Sequence, residues 1–158
     1  MKQNVKTNAM RILDSMGLDY DTASYTVDEE HLDAVHASLE LGVSTDEVFK
    51  TIVMQGSSRQ LYVFVVPAAY EVSLKKAREL TGEKSIDSLP LRELQKMTGY
   101  IRGGCSPLGM IRKYPTFIEE SAQLQERIYV SAGQRGIQLY LTPSDLAAAC
   151  QATFESFI

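Results

Sequence analysis

No apolar run in this 158-residue chain approaches the roughly 20 residues that a bilayer-spanning helix needs, and the stretch Met1 to Ala9 is too polar for a signal peptide. The cytoplasm is therefore the expected location. Cysteine is scarce: Cys105 and Cys150 stand apart without metal-type spacing, and a reducing compartment keeps both as thiols. Neither a metal site, another cofactor nor a disulfide is expected. The only histidines, His31 and His36, are five apart, which does not bring two imidazoles to one helical face, so both are read as surface residues. Repeats, low-complexity segments and linkers are missing too, and a chain of this length buries about 68–70% of its unfolded surface without staples, so residues 1–158 are read as one domain.

Positive charge is absent from Asp14 to Glu47, where ten acids stand, and the net charge of −4 weighs against a general nucleic-acid binder. Between Lys75 and Lys113 the balance reverses, with nine bases (Lys75, Lys76, Arg78, Lys84, Arg92, Lys96, Arg102, Arg112, Lys113) against four acids (Glu79, Glu83, Asp87, Glu93). Lys84 and Lys96 suit a solvated helix face. Arg102, Arg112 and Lys113 flank the densest glycine segment of the chain and point to an anionic ligand. That segment, Gly99 to Gly109, packs four of the ten glycines, Pro107 and Cys105 into eleven residues. An ordinary hairpin turn needs one or two such residues, so this one reads as a backbone cradle around a ligand.

Elsewhere the periodicities are mixed. Val5, Ala9, Ile12, Leu13 and Met16 recur at helical spacing before Gly17, while Ala23, Tyr25 and Val27 alternate as in a half-buried strand. A helix is expected over about 31–41, with Val35, Leu39 and Leu41 inward and Gly42 closing it. A capped turn, Ser44 to Glu47, leads past Lys50 into a strand at Thr51 to Met54; Leu61 to Val66 is an unbroken apolar strand that Pro67 stops. Helices follow at Ser73 to Leu80 and Leu91 to Met97, then short strands at Thr116 to Ile118 and Ile128 to Val130, a glycine turn at Ser131 to Gly136, and an alternating strand at Ile137 to Leu141. A helix from Asp145 to Phe154, capped at Ser144, closes the chain. The expected fold is an α/β domain with a mixed, strongly curved β-sheet flanked by helices.

Val48-Phe49-Lys50-Thr51, the loop Gly99 to Gly109, and Tyr129 to Gly136 resemble the three signature segments of the YbaK family of aminoacyl-tRNA deacylases, whose relatives include the editing domain inserted in bacterial prolyl-tRNA synthetase. The similarity spans nearly the whole chain in order and spacing. It implies hydrolysis of the ester joining a wrong amino acid to tRNA, typically Cys on the proline tRNA, with the acceptor end of the aminoacyl-tRNA as partner and prolyl-tRNA synthetase as a second. The family lysine falls on Lys50, the loop glycines on Gly103 and Gly104, the pocket serine on Ser131 and a strand tyrosine on Tyr25. Ser106 and Gly133, within the same segments, join the substrate-binding set. Gln138 stands where the Cys-specific members carry an acid, which leaves Ala and Ser open as substrates beside Cys. In this family no protein nucleophile is used, and a cysteinyl substrate's own thiol attacks its ester.

Physical reasons fit that chemistry. A synthetase pocket discriminates one methylene by only about 1–3 kcal/mol, so a second sieve is needed. Backbone N–H groups of a glycine loop are fixed dipoles suited to an oxyanion. Two rival readings remain: Cys105 as a nucleophile whose thiol is acidified by Arg102, although no histidine lies near it in sequence, and a binding module without catalysis.

Overall fold

The computed structural model describes residues 6–158; Val5 of the expected first helix lies outside them. Helix α1 (Asn8–Ser15) is capped by Thr7, whose side chain accepts from Met10 N–H, and buries Ala9, Met10 and Leu13. Strand β1 (Asp21–Ser24) pairs antiparallel with β7 (Ile137–Leu141), which pairs antiparallel with β6 (Ile128–Gln134), giving a three-stranded sheet in the order β1-β7-β6. The second sheet runs β4 (Ile86–Ser88), β2 (Phe49–Gly56), β3 (Leu61–Pro67), β5 (Thr116–Glu119), β8 (Thr153–Glu155). Its β4–β2 and β2–β3 pairs are antiparallel and its β3–β5 and β5–β8 pairs parallel, so the sheet is mixed as expected. Helices α2 (Ala34–Leu41), α3 (Leu74–Thr81), α4 (Leu91–Thr98) and α5 (Pro143–Cys150) complete the α/β domain.

The two sheets join at one parallel bridge, Val48 with Tyr129, where Tyr129 N–H donates to Glu47 O at 2.8 Å. One core fills the space behind β6 and β7, where Val130, Ala132, Leu139 and Leu141 meet α1 and α5. Strand β3 is buried along its whole length, as its unbroken apolar run requires.

Several elements differ from the sequence reading. Helix α2 starts after Asp33, whose carboxylate caps His36 N–H, and packs through Ala37 and Ser38; Val35 and Leu39 are exposed, Leu39 by 71%. The small residues let the helix sit close, and the larger ones fall on the outer face. Because His31 then precedes the helix, helical spacing does not apply, and its ring stacks on His36 with centroids 5.0 Å apart. Helix α5 is capped by Thr142 rather than Ser144 and ends at Gln151 in the left-handed region; Thr153 to Glu155 are strand β8, held by parallel pairing to β5 rather than by helical periodicity. Strand β1 stops at Ser24, one residue short of Tyr25, although Tyr25 N–H still reaches Gly136 O at 2.9 Å. Ser131 to Gln134 stay in β6 around a bulge, which confines the turn to Arg135 and Gly136.

Candidate active site

The backbone of β2 determines where a cavity opens. Ala68 N–H donates to Val48 O (2.8 Å) and Gly56 N–H to Gln60 O (2.9 Å), so the even-numbered residues of this antiparallel pair aim their backbone groups at β3. The odd-numbered ones face the other edge, where Val53 O accepts from Leu89 N–H at 2.9 Å. Strand β4 covers that edge only from Met54 onward, and β6 bridges to it at Val48. Around Thr51 no strand among the described residues pairs with the edge. There lies a cavity of about 510 Å³, a size typical of small-molecule sites, walled by Phe49 to Val53, Leu32 and Ala37 beside α2, Leu91 and Leu94 of α4, Arg102, Gly103 and Cys105 of the glycine loop, and Ser131 and Gln138 of the β6–β7 hairpin.

Each wall is positioned by local structure. The register pairs Ser131 with Gln138 and Gln138 with Ala23, placing them on the sheet face opposite the Val130–Leu139 core. Ser131 Oγ accepts from Gly133 N–H at 3.1 Å across the bulge. Gly103 has φ +86, which favours glycine, and a Cβ there would stand 3.2 Å from Leu32 and 3.3 Å from Arg135 Nε. Its N–H has no partner among the described residues, whereas Gly104 N–H closes a turn onto Ile101 O at 3.0 Å. Of the two loop glycines, only Gly103 keeps an amide for a ligand.

Two polar atoms in this wall stand out. Thr51 Oγ1 and Gln138 Oε1 are shielded from solvent and have no hydrogen-bond partner within the described chain. Such groups each cost on the order of 1–3 kcal/mol, and native proteins keep few of them. Lys50, on the same strand, donates from Nζ to Ala68 O (3.1 Å) and to Glu71 Oε2 (2.9 Å), which uses two of its three N–H groups. Glu71 is 88% exposed, so this ion pair is worth no more than about 1 kcal/mol and yields readily to a stronger anion. Asp33, across the cavity, spends its charge on the start of α2.

Cys105 borders the cavity but packs with Val53, Leu61, Val63 and Tyr114, and burial pushes its thiol up to about 12. That shift is opposite to what a thiolate nucleophile needs. Cys150 is likewise pushed up to about 12 by burial.

Of the residues singled out from sequence, Tyr25, Lys50, Arg102, Gly103, Ser131 and Gln138 come together around one cavity. Cys105, the rival nucleophile, borders it as well, and Gly104, Ser106, Gly133, Arg112 and Lys113 do not line it. Ser106 is fully buried and its Oγ accepts from Leu108 N–H at 3.2 Å, holding the loop's own shape. Gly133 leaves room for the Tyr100 ring, whose edge would lie 3.0 Å from a Cβ, and Tyr100 OH donates to Leu108 O. Arg112 and Lys113 are exposed beyond the loop, away from the cavity wall. Thr51, Leu32, Glu71 and Arg135 were not singled out. Thr51 had a signal in its place beside Lys50; the other three depend on contacts between distant segments.

The aminoacyl-tRNA editing domain family matches this chain over residues 28–149. A relative from Enterococcus faecalis, named "Putative Cys-tRNA(Pro)/Cys-tRNA(Cys) deacylase EbsC", is 39% identical over 153 residues, covering 97% of this chain and 93% of its own. Two solved structures share the fold: "a putative trans-editing enzyme for prolyl tRNA synthetase", with TM-score 0.80, 21% identity and 98% of both chains covered, and hypothetical protein APE2540, with TM-score 0.83, 19% identity, and 93% of this chain and 97% of that one covered.

Proposed function

Because the chain belongs to the aminoacyl-tRNA editing domain family, we propose that it hydrolyses in trans the ester between a small, wrongly attached amino acid and tRNA, with Cys-tRNA(Pro) as first substrate. The observation that carries this reading is the pair of unpartnered acceptors, Thr51 Oγ1 and Gln138 Oε1, in the wall of a cavity that also holds Lys50 and the free Gly103 amide. A buried acceptor without a partner in the chain is compensated when a bound donor reaches it, and the α-ammonium of an aminoacyl group carries the donors that two acceptors need.

In this arrangement the aminoacyl group enters between β2 and the hairpin, its ammonium facing Thr51 and Gln138. Gly103 N–H donates to the carbonyl oxygen as negative charge develops there, and as a fixed dipole it needs no reorganisation. Lys50 exchanges Glu71 for a phosphate or ribose oxygen of the terminal nucleotide, holding the ester as a point charge. This reading uses no protein nucleophile, and burial, which pushes the Cys105 thiol up to about 12, disfavours its thiolate. For a cysteinyl ester the substrate thiol attacks its own carbonyl: a C–S bond forms, the ester C–O bond breaks, the thiol proton ends on the ribose oxygen, and water then opens the resulting thiolactone to free cysteine. Gln138 offers an amide donor and acceptor where a carboxylate would offer charge, which keeps Ala and Ser esters as alternative substrates, with water as their nucleophile. Arg102, at the cavity, is the cation that meets the acceptor end first, and the exposed Arg112 and Lys113 add positive charge farther along the tRNA; the enzyme works in the cytoplasm, and prolyl-tRNA synthetase is the partner that delivers the mischarged tRNA.

The test is hydrolysis of tRNA(Pro) charged separately with Cys, Ala, Ser and Pro, with substrate in large excess over protein. Many turnovers on Cys-tRNA(Pro) and none on Pro-tRNA(Pro) are expected. Stoichiometric binding without release of any amino acid would leave a binding module instead.

A further inference from the structure

The hairpin and the glycine loop meet at Arg135, a residue with no assigned role. Its Nε donates to Arg102 O at 2.8 Å, and it also lies 3.3 Å from where a Cβ on Gly103 would stand. The backbone N of Arg135 is 3.1 Å from the corresponding point on Gly104. The Nε side of the guanidinium is thus spent on the loop, and the Nη groups have no hydrogen-bond partner among the described residues. Arg102, exposed at the cavity mouth, has none for its side chain either. Neither arginine has a carboxylate within 4.0 Å among those residues.

Two arginines thus meet at one short loop, Arg102 carried by it and Arg135 of the hairpin hydrogen-bonded to its backbone, and among the described residues neither has a counter-charge, so an anion that reaches both is attracted by two positive charges. Arginine presents its N–H groups in a fork that fits phosphate oxygens two at a time, and a guanidinium already anchored through Nε loses less freedom on binding. The cavity of about 510 Å³ has the size for an aminoacyl nucleoside, so the phosphate next to that nucleoside falls outside it, at the mouth where Arg102 and Gly103 stand. We propose that Arg135 and Arg102 form a fork that grips the phosphodiester linking the terminal nucleoside to the rest of the tRNA 3′ end. This rests on the deacylase reading and adds the group that recognises the nucleic acid rather than the amino acid.

Two substrates separate phosphate recognition from loop support: the cysteinyl ester of adenosine, which has no phosphate, and the cysteinyl ester of the trinucleotide CCA, which has the phosphodiester. Arg135→Gln keeps a donor for Arg102 O and removes the charge; Arg135→Lys keeps the charge and removes the fork. In Arg135→Gln the ratio of kcat/KM for the trinucleotide ester to that for the nucleoside ester is expected to fall roughly 10–100-fold, the scale of one charge-assisted contact. Arg135→Lys is expected to recover part of the ratio. Log affinity for the trinucleotide against log salt is expected to be shallower by about 0.7 in Arg135→Gln, one phosphate contact fewer on a single strand. An unchanged ratio, with both esters slowed alike or neither slowed, would overturn the proposal and leave Arg135 at most a prop for the loop. If the native protein hydrolyses neither ester, the deacylase reading fails, and calorimetric binding of uncharged CCA against adenosine decides the phosphate question: a native preference for CCA lost in Arg135→Gln supports the fork, and no preference refutes it.

Discussion

The interior of the glycine loop and the wall of the cavity next to it both bury polar side chains, and they treat them oppositely. Inside the loop, Ser106 Oγ accepts from Leu108 N–H, Tyr100 OH donates to Leu108 O, and Gly104 N–H returns to Ile101 O. Every one of these groups has its partner inside the loop. In the neighbouring cavity wall, Thr51 Oγ1, Gln138 Oε1 and the Gly103 amide have no partner among the described residues. Hydrogen bonds satisfied inside the chain hold a shape; those left open define what the shape is for. The contrast separates residues whose replacement harms the fold from residues whose replacement harms the reaction.

Lys50→Ala sharpens this contrast most. With its ammonium already half engaged by an exposed carboxylate, Lys50 contributes little to stability, and its removal is expected to shift Tm by no more than a few degrees while deacylation of Cys-tRNA(Pro) falls about 100-fold or more. Equal loss of stability and activity would break the contrast. Next in size is a matched pair. Gln138→Met removes an unsatisfied buried amide at similar volume, so the protein is expected to melt at the same temperature or higher while kcat/KM drops on the order of 10-fold. Ser106→Ala removes a satisfied one and is expected to cost about 1 kcal/mol, a fall in Tm of roughly 2–4 °C. Differential scanning calorimetry beside the deacylation assay reads both, and a Gln138→Met protein less stable than Ser106→Ala would contradict the assignment.

Smaller effects follow from titration and from the rim. Burial holds the protons of Cys105, Cys150 and Tyr100 to about 12, against ordinary values of 9.0 for the thiols and 10.0 for the phenol. The unfolded chain releases them first as pH rises, so their contribution to stability is complete below about pH 9 and lost progressively towards pH 12. The urea midpoint is expected to fall from pH 9 upward, with native Cys105 unreactive towards a thiol reagent at pH 8; rapid labelling of the folded protein there would restore the nucleophile reading. Smallest is Glu71→Gln, which frees Lys50 from a competing carboxylate. Stability is expected to change by less than about 1 kcal/mol and KM for the tRNA to fall modestly, an outcome that a rise in KM would reverse.

What was legible in the sequence follows the same division. Helix α3, with Ser73 capping Lys76 N–H and Gly82 closing it, is local chemistry and reads directly. So does β3, whose apolar run demands burial on both faces. Strand β8 does not, because three residues become a strand only through β5, some 35 positions earlier in the chain. The outer placement of Leu39 and the stacking of His31 on His36 likewise depend on where α2 starts, and the Asp33 cap sets that start at Ala34, three residues later than the hydrophobic pattern suggests. At the candidate site, the short motifs pointed to Lys50 and Gly103, which sit beside one cavity. Ser106 and Gly133 belong to the same motifs, yet one is tied to Leu108 and the other packs on Tyr100. Motif membership does not distinguish a residue that shapes the loop from one that faces the cavity. The free edge of β2, Glu71 on Lys50 and Arg135 on the glycine loop are products of tertiary contact and have no one-dimensional signature.

The most direct measurement is the single-turnover rate of Cys-tRNA(Pro) deacylation by Gly103→Ala, taken together with its affinity for the substrate and its Tm. A Cβ at φ +86 between Leu32 and Arg135 pushes the loop amide out of line, and the strain costs about 1–2 kcal/mol of stability. The expected result is a rate lowered by about 100–1,000-fold, the scale of one lost oxyanion donor, in a protein that still folds and still binds tRNA. A folded Gly103→Ala protein that deacylates at the native rate would contradict the placement of the reaction at this loop.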